Sequence, residues 1–257
     1  MSNPMSLEGH NIIVTGAGQG IGEAVARLSA DLGARVILVD VQAEKINALA
    51  DDLGADKAEV HIGSVADPSF VQGMVANAVT KNGAIHGLVN NAGIVRAAMI
   101  NKMPIDTWQE VIDVNLSGVF YYLQAVGRHM CQRHEDGDTS PASIVNISSD
   151  AGRRGTIGQI NYGAAKSGVM GITMSAAREW AANQVRVNSV CFGVVETEMT
   201  ETIRSDKFRD RILAQVPMGR FSDPEEACQP VCFLLSQAAS YITGQHVSVN
   251  GGYTIGV

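Results

Sequence analysis

Thr15-Gly16-Ala17-Gly18-Gln19-Gly20-Ile21-Gly22 is the stretch that decides the fold. Asn11-Ile12-Ile13-Val14 leads into it as a short run rich in β-branched residues. After it, Ile21, Ala24, Val25, Leu28 and Leu32 recur at helical spacing until Gly33. A glycine-rich turn between a strand and an amphipathic helix lets backbone N–H groups approach a pyrophosphate. The helix N-terminus adds partial positive charge there. The turn is informative only in the context of strand, turn, helix and second strand, and that context is present.

The second strand is Arg35-Val36-Ile37-Leu38-Val39-Asp40, a nearly continuous apolar run of the kind that parallel sheets bury on both faces. It ends on an acid about 20 residues beyond the glycine turn. A carboxylate at Asp40 can accept hydrogen bonds from the adenosine ribose hydroxyls and would repel a 2′-phosphate. The reading is therefore NAD(H) in preference to NADP(H).

The same alternation continues to the end of the chain. Strands are expected near residues 59–62, 86–90, 143–147, 185–190 and 246–249. Helices are expected near 44–53, 68–81, 107–133, 162–182, 207–215 and 224–236. Strands alternating with helices predict an α/β fold: a Rossmann-type, doubly wound, parallel seven-stranded sheet with helices on both faces. Residues 1–257 read as one domain, broken in composition only by the acidic loop 134–140.

Composition narrows the function classes. The 257 residues are 46% hydrophobic and 18% charged, which suits a globular chain. A net charge of -7 argues against nucleic acid as a partner. No apolar run approaches the ~20 residues needed to span a bilayer, and Met1–His10 lacks an apolar secretion signal. Cys131, Cys191, Cys228 and Cys232 have neither disulfide-framework nor zinc-ligand spacing, so reduced cysteines, no metal and a cytoplasmic location are expected.

Tyr162-Gly163-Ala164-Ala165-Lys166 puts a phenol and an ammonium one helical turn apart on one face. A free phenol titrates near ~10. A neighbouring cation favours the phenolate and lowers that value. Such a tyrosine can give a proton to an alkoxide forming on a ketone, or take one from an alcohol.

With these motifs the chain resembles the short-chain dehydrogenase/reductase family over essentially its whole length. The resemblance rests on Thr15-Gly16-x-x-x-Gly20-x-Gly22, Asn90-Asn91-Ala92-Gly93, Asn115, Ser149 thirteen residues before Tyr162, Tyr162-x-x-x-Lys166, and Asn250-Gly251-Gly252. Within the family it is most similar to bacterial 3-oxoacyl-carrier-protein reductases. The resemblance implies Tyr162 as general acid/base, with Lys166 lowering its pKa and holding the nicotinamide ribose. Ser149 would stabilise the substrate oxygen, and Asn115 would hold a water linking Lys166 to solvent. Gly16, Gln19, Gly20, Ile21, Asp40, Ser64, Val65, Asn91, Val195 and Thr197 would complete the cofactor site. A homotetramer packed through the two long helices is also implied.

The expected reaction is interconversion of a small secondary alcohol and its ketone. The alternatives are a 3-oxoacyl-carrier-protein reductase and, in a different class, a non-catalytic NAD-binding sensor or scaffold. Four features bear on substrate. Arg133 matches a carrier-docking position, but Glu135, Asp136 and Asp138 follow it and would oppose an acidic carrier. Arg153, Arg154 and Arg96 are candidates for pairing a substrate carboxylate or phosphate from loops at the site's mouth. The segment 196–214 is expected to fold over the substrate as a lid. Phe192 stands where the family has Pro, and would add a ring beside the nicotinamide pocket.

Overall fold

The apolar runs form strands whose alternate side chains feed two separate cores. In a computed structural model that describes residues 3–256, the strands are β1 (Asn11–Thr15), β2 (Arg35–Asp40), β3 (Ala58–Ile62), β4 (Gly87–Asn90), β5 (Ala142–Ser149), β6 (Val185–Phe192) and β7 (His246–Val249). They form one parallel sheet in the order β3-β2-β1-β4-β5-β6-β7. The order reverses between β1 and β4, and a crevice opens there outside the carboxyl ends of the strands.

Ile12, Val14, Val36 and Leu38 point to one face, and Ile13, Ile37 and Val39 to the other, as a period of two requires. The first face is covered by α1 (Gly20–Asp31), α2 (Ala43–Leu53) and α10 (Pro224–Leu235). Cys228 and Cys232 lie inside that layer. The second face is covered by α3 (Pro68–Asn82), α5 (Gly118–Glu135) and α7 (Ile160–Trp180). Each buried Val, Leu or Ile contributes roughly 2 kcal/mol by leaving water, which makes this layering strongly preferred. Local signals set the helix starts: Asp67 accepts from Ser69 N at 2.9 Å and Phe70 N at 3.2 Å, with Pro68 in the first turn of α3.

Two sequence expectations need correction. The helix expected over 107–133 is α4 (Ile105–Ile112), then a π-helical turn over Asp113–Ser117, then α5. No proline or glycine pair marks that turn; its buried Asn115 bonds to the loop after β4 instead. Arg153 and Arg154 do not lie in a loop but in α6 (Asp150–Arg154), capped by the Ser149 hydroxyl, which accepts from Ala151 N at 3.2 Å.

Candidate active site

The glycine turn runs from the end of β1 into α1 and is lined by backbone. Gly16 has φ +65°, and a Cβ on it would stand 2.8 Å from Ala92 Cα, so a side chain has no room. The N-cap of α1, Gln19, makes no side-chain cap bond, which leaves the first-turn N–H groups free for an anion. Asn91, after β4, braces the turn by donating from its side chain to Thr15 O at 3.0 Å and Gly16 O at 3.1 Å.

Asp40 is buried at the end of β2. One carboxylate oxygen accepts from Gly18 N at 2.9 Å, the other from Gln42 N at 3.0 Å. The turn and the acid thus form one end of a groove of about 1050 Å³. That groove is long enough to be lined by Gly16, Gln19, Gly20 and Ile21 from the turn, Asp40, Ser64 and Val65 after β2 and β3, and Asn91. Val195 and Thr197 line it from the segment after β6, and Ser149, Tyr162 and Lys166 from β5 and α7. A backbone-lined cradle, unspent helix amides and a buried acid at its far end fit a nicotinamide dinucleotide.

The candidate chemistry sits at the other end. Ser149 closes β5, and Tyr162 and Lys166 face it from α7. The neighbouring Ser148 also borders the groove, and its hydroxyl is committed, donating to Lys166 O at 2.9 Å. Lys166 is buried and donates from Nζ to Ile147 O at 2.7 Å. Burial pulls its pKa down to about 8. Nζ stands 5.7 Å from the Tyr162 ring centroid. Burial raises the Tyr162 pKa, opposed by the Ser149 hydroxyl.

Asn115 is the one candidate that does not line the groove. Its Oδ1 accepts from Ile94 N at 2.8 Å and its Nδ2 donates to Ile94 O at 2.9 Å. A Cβ on Gly93 would lie 3.5 Å from Asn115 Oδ1 and 3.7 Å from Lys166 Nζ, so Asn115 stands just behind the lysine.

The arginines proposed for substrate are committed elsewhere. Arg96 holds Glu110 through two bonds at 2.9 and 3.1 Å. Arg153 donates to Ser248 Oγ and His246 O, and Arg154 stacks 4.0 Å over Tyr253. Arg133 is only 8% exposed and donates to Ile85 O at 2.5 Å and Asp138 Oδ2 at 2.7 Å. Phe192 is 4% exposed and packs in the first core while bordering the groove. The lid segment is a 3₁₀ turn over Glu198–Thr200 followed by α8 (Glu201–Arg204) and α9 (Asp206–Leu213), and its Met199 borders the groove. Lys45 and Glu198 also line the groove, and no local pattern in the sequence singles them out. Among the described residues, no three His, Cys, Asp or Glu side chains gather to hold a metal, and no helix is long and apolar enough to cross a membrane.

Comparison with known proteins agrees with this fold. A family profile described as enoyl-(acyl carrier protein) reductase matches residues 16–254. The chain is 41% identical over 253 residues to the 3-oxoacyl-[acyl-carrier-protein] reductase FabG of Thermotoga maritima, covering 98% of this chain and 100% of that protein. It is 39% identical over 250 residues to an acetoacetyl-CoA reductase of Synechocystis, covering 97% and 98%. A solved structure from Beutenbergia cavernae, with NADP bound at low occupancy, superposes with a TM-score of 0.90 at 34% identity, covering 98% and 99%.

Proposed function

The chain belongs to the short-chain dehydrogenase/reductase family, and from that premise we propose that it reduces the ketone of a 3-oxoacyl thioester, or oxidises the matching secondary alcohol, with NAD(H). The observation that carries the reading is the convergence of Ser149, Tyr162 and Lys166 on the same groove as the glycine turn and Asp40. The relatives supply the substrate class: an acyl-carrier-protein reductase and an acetoacetyl-CoA reductase, by name, share a 3-oxoacyl thioester. This puts what the sequence reading held as an alternative ahead of an unspecified alcohol or ketone.

Bound NADH supplies the hydride. Ser149 donates a hydrogen bond to the ketone oxygen and opposes the charge that develops there. Tyr162 delivers its phenolic proton to that oxygen, and takes one back in the oxidative direction. Lys166, one turn along α7, holds the nicotinamide ribose. Asn115 is a positioning residue that fixes Ile94 and the loop beside Lys166. Gly16, Gln19, Gly20 and Ile21 cradle the pyrophosphate, Asp40 takes the ribose hydroxyls, Ser64 and Val65 contact adenine, Asn91 braces the cradle, and Val195 and Thr197 take the carboxamide.

The protein acts as a single-domain cytoplasmic homotetramer in this reading. Exposed Phe120 on α5 and Met174 on α7 support packing through those helices, and a monomer by light scattering would contradict it. The deciding experiment is a kinetic panel with NADH and NADPH against acetoacetyl-CoA, an acetoacetyl carrier-protein thioester, cyclic ketones and sugars. Thioester reduction with NADH is expected. Activity confined to sugars or cyclic ketones would overturn the substrate class.

A further inference from the structure

We infer that Lys45 and Glu198 form an ion pair that withholds a cation from the 2′ position of the nucleotide, so that Glu198 joins Asp40 in setting cofactor choice; this rests on the reading of the groove above. Lys45 Nζ donates to Glu198 at 3.1 and 3.2 Å and also to Gln19 Oε1. The three residues come from α2, the segment after β6 and the glycine turn, and all border the groove.

Lys45 flanks the acid that would read the ribose. A Cβ on Gly18 would lie 3.1 Å from Asp40 Oδ2 and 3.4 Å from Lys45 Cβ. The lysine stem therefore passes within one side-chain length of the Asp40 carboxylate. A free ammonium there is a ready point-charge partner for a 2′-phosphate. In this chain it faces the Glu198 carboxylate instead. The side chains of Lys45 and Glu198 are 39% and 71% exposed. An ion pair so exposed adds little to the stability of the fold, and either partner can be replaced with the fold intact.

The test is calorimetric titration of NADH, NADPH, AMP and 2′,5′-ADP into the wild type, Glu198→Gln, Lys45→Met and the double variant at low salt. Glu198→Gln is expected to tighten NADPH and 2′,5′-ADP about fivefold, the order of an exposed ion pair. NADH and AMP should change less than twofold, and the gain should vanish in the Lys45→Met background. NADPH affinity unchanged by Glu198→Gln, equal tightening of AMP, or a gain that survives without Lys45 would each overturn the inference while leaving the proposed function standing. A wild type that binds neither NADH nor NADPH would overturn both.

Discussion

The Asp40 carboxylate accepts the Gly18 amide at 2.9 Å, which makes the acid at the end of β2 and the glycine turn after β1 one structural unit. The same group thus shapes the cradle and, in the proposed reading, is the charge that would oppose a 2′-phosphate. Asp40→Ser is expected to lower KM for NADPH and raise it for NADH, about tenfold in the ratio, since removing one charge-assisted bond is worth on the order of 1.5 kcal/mol. An unchanged ratio in steady-state kinetics would sink the NAD(H) assignment.

Tyr162→Phe removes the proton donor and keeps the ring. Turnover should fall about 10²- to 10⁴-fold, while the dissociation constant for NADH, read by fluorescence titration, stays within about twofold of the wild type because the ring still packs. Retained turnover would move the general acid elsewhere. Loss of nucleotide binding would instead make Tyr162 a packing residue.

Lys166 titrates in reach of ordinary buffers, since burial holds it down to about 8. Its ammonium is lost as pH rises through that value. NADH affinity of the free enzyme should therefore weaken with a midpoint near 8. Lys166→Arg keeps the charge at every accessible pH and should remove that limb. A limb that persists in the arginine variant belongs to another group.

The lower end of the sheet carries an acid-sensitive pair of histidines. His86 Nδ1 accepts from Asn11 N at 3.0 Å, and His129 Nε2 accepts from Ile85 N at 3.1 Å, so each ring nitrogen must be unprotonated. His10 stacks on His86 at 5.2 Å. Burial first, then the Arg133 cation and His10, hold His86 down to about 4, with Asp138 opposing and His129 adding slightly. A folded value below the unfolded 6.5 means that the unfolded chain binds more protons between those limits. The stabilisation is complete above pH 6.5 and is lost as pH falls toward 4. The melting temperature should drop over that window. In His86→Asn, whose amide oxygen can still accept from Asn11, the slope should be shallower; an identical slope would show that His86 does not carry it.

Arg133 is a structural residue in this chain. It spans from Ile85 O to Asp138 and Ser140 from the buried end of α5. Arg133→Met should cost about 1–3 kcal/mol in urea unfolding, because the Ile85 carbonyl loses a buried charged donor while the half-exposed Asp138 stays hydrated. It should leave KM for a carrier-protein thioester no more affected than KM for acetoacetyl-CoA. A selective loss with the carrier protein would restore Arg133 to a docking role.

Much of the groove was readable along the chain. The glycine turn, Asp40 and the Tyr162–Lys166 pair are short-range patterns, whereas strand alternation alone does not separate Ser149 from Ser148, since both border the groove. The π-turn at Asp113–Ser117 was not readable, because Asn115 gains from two bonds to Ile94, across a loop, what the regular helix gives up. The reach of the arginines was not readable either. Arg96 and Arg153 read only as candidates for a substrate anion, and each has a partner that only packing brings near.

The sequence by itself determined the order of elements, the two-faced sheet and the chemical types in the groove, because periodicity and turn chemistry act over a few residues. Tertiary structure alone decided which charges stay free. Lys45 meets Glu198 across 153 residues of chain, and Arg153 meets Ser248 across 95. A charge pairs with whatever acceptor the closed sheet places within a few ångströms, and no local spacing encodes that distance.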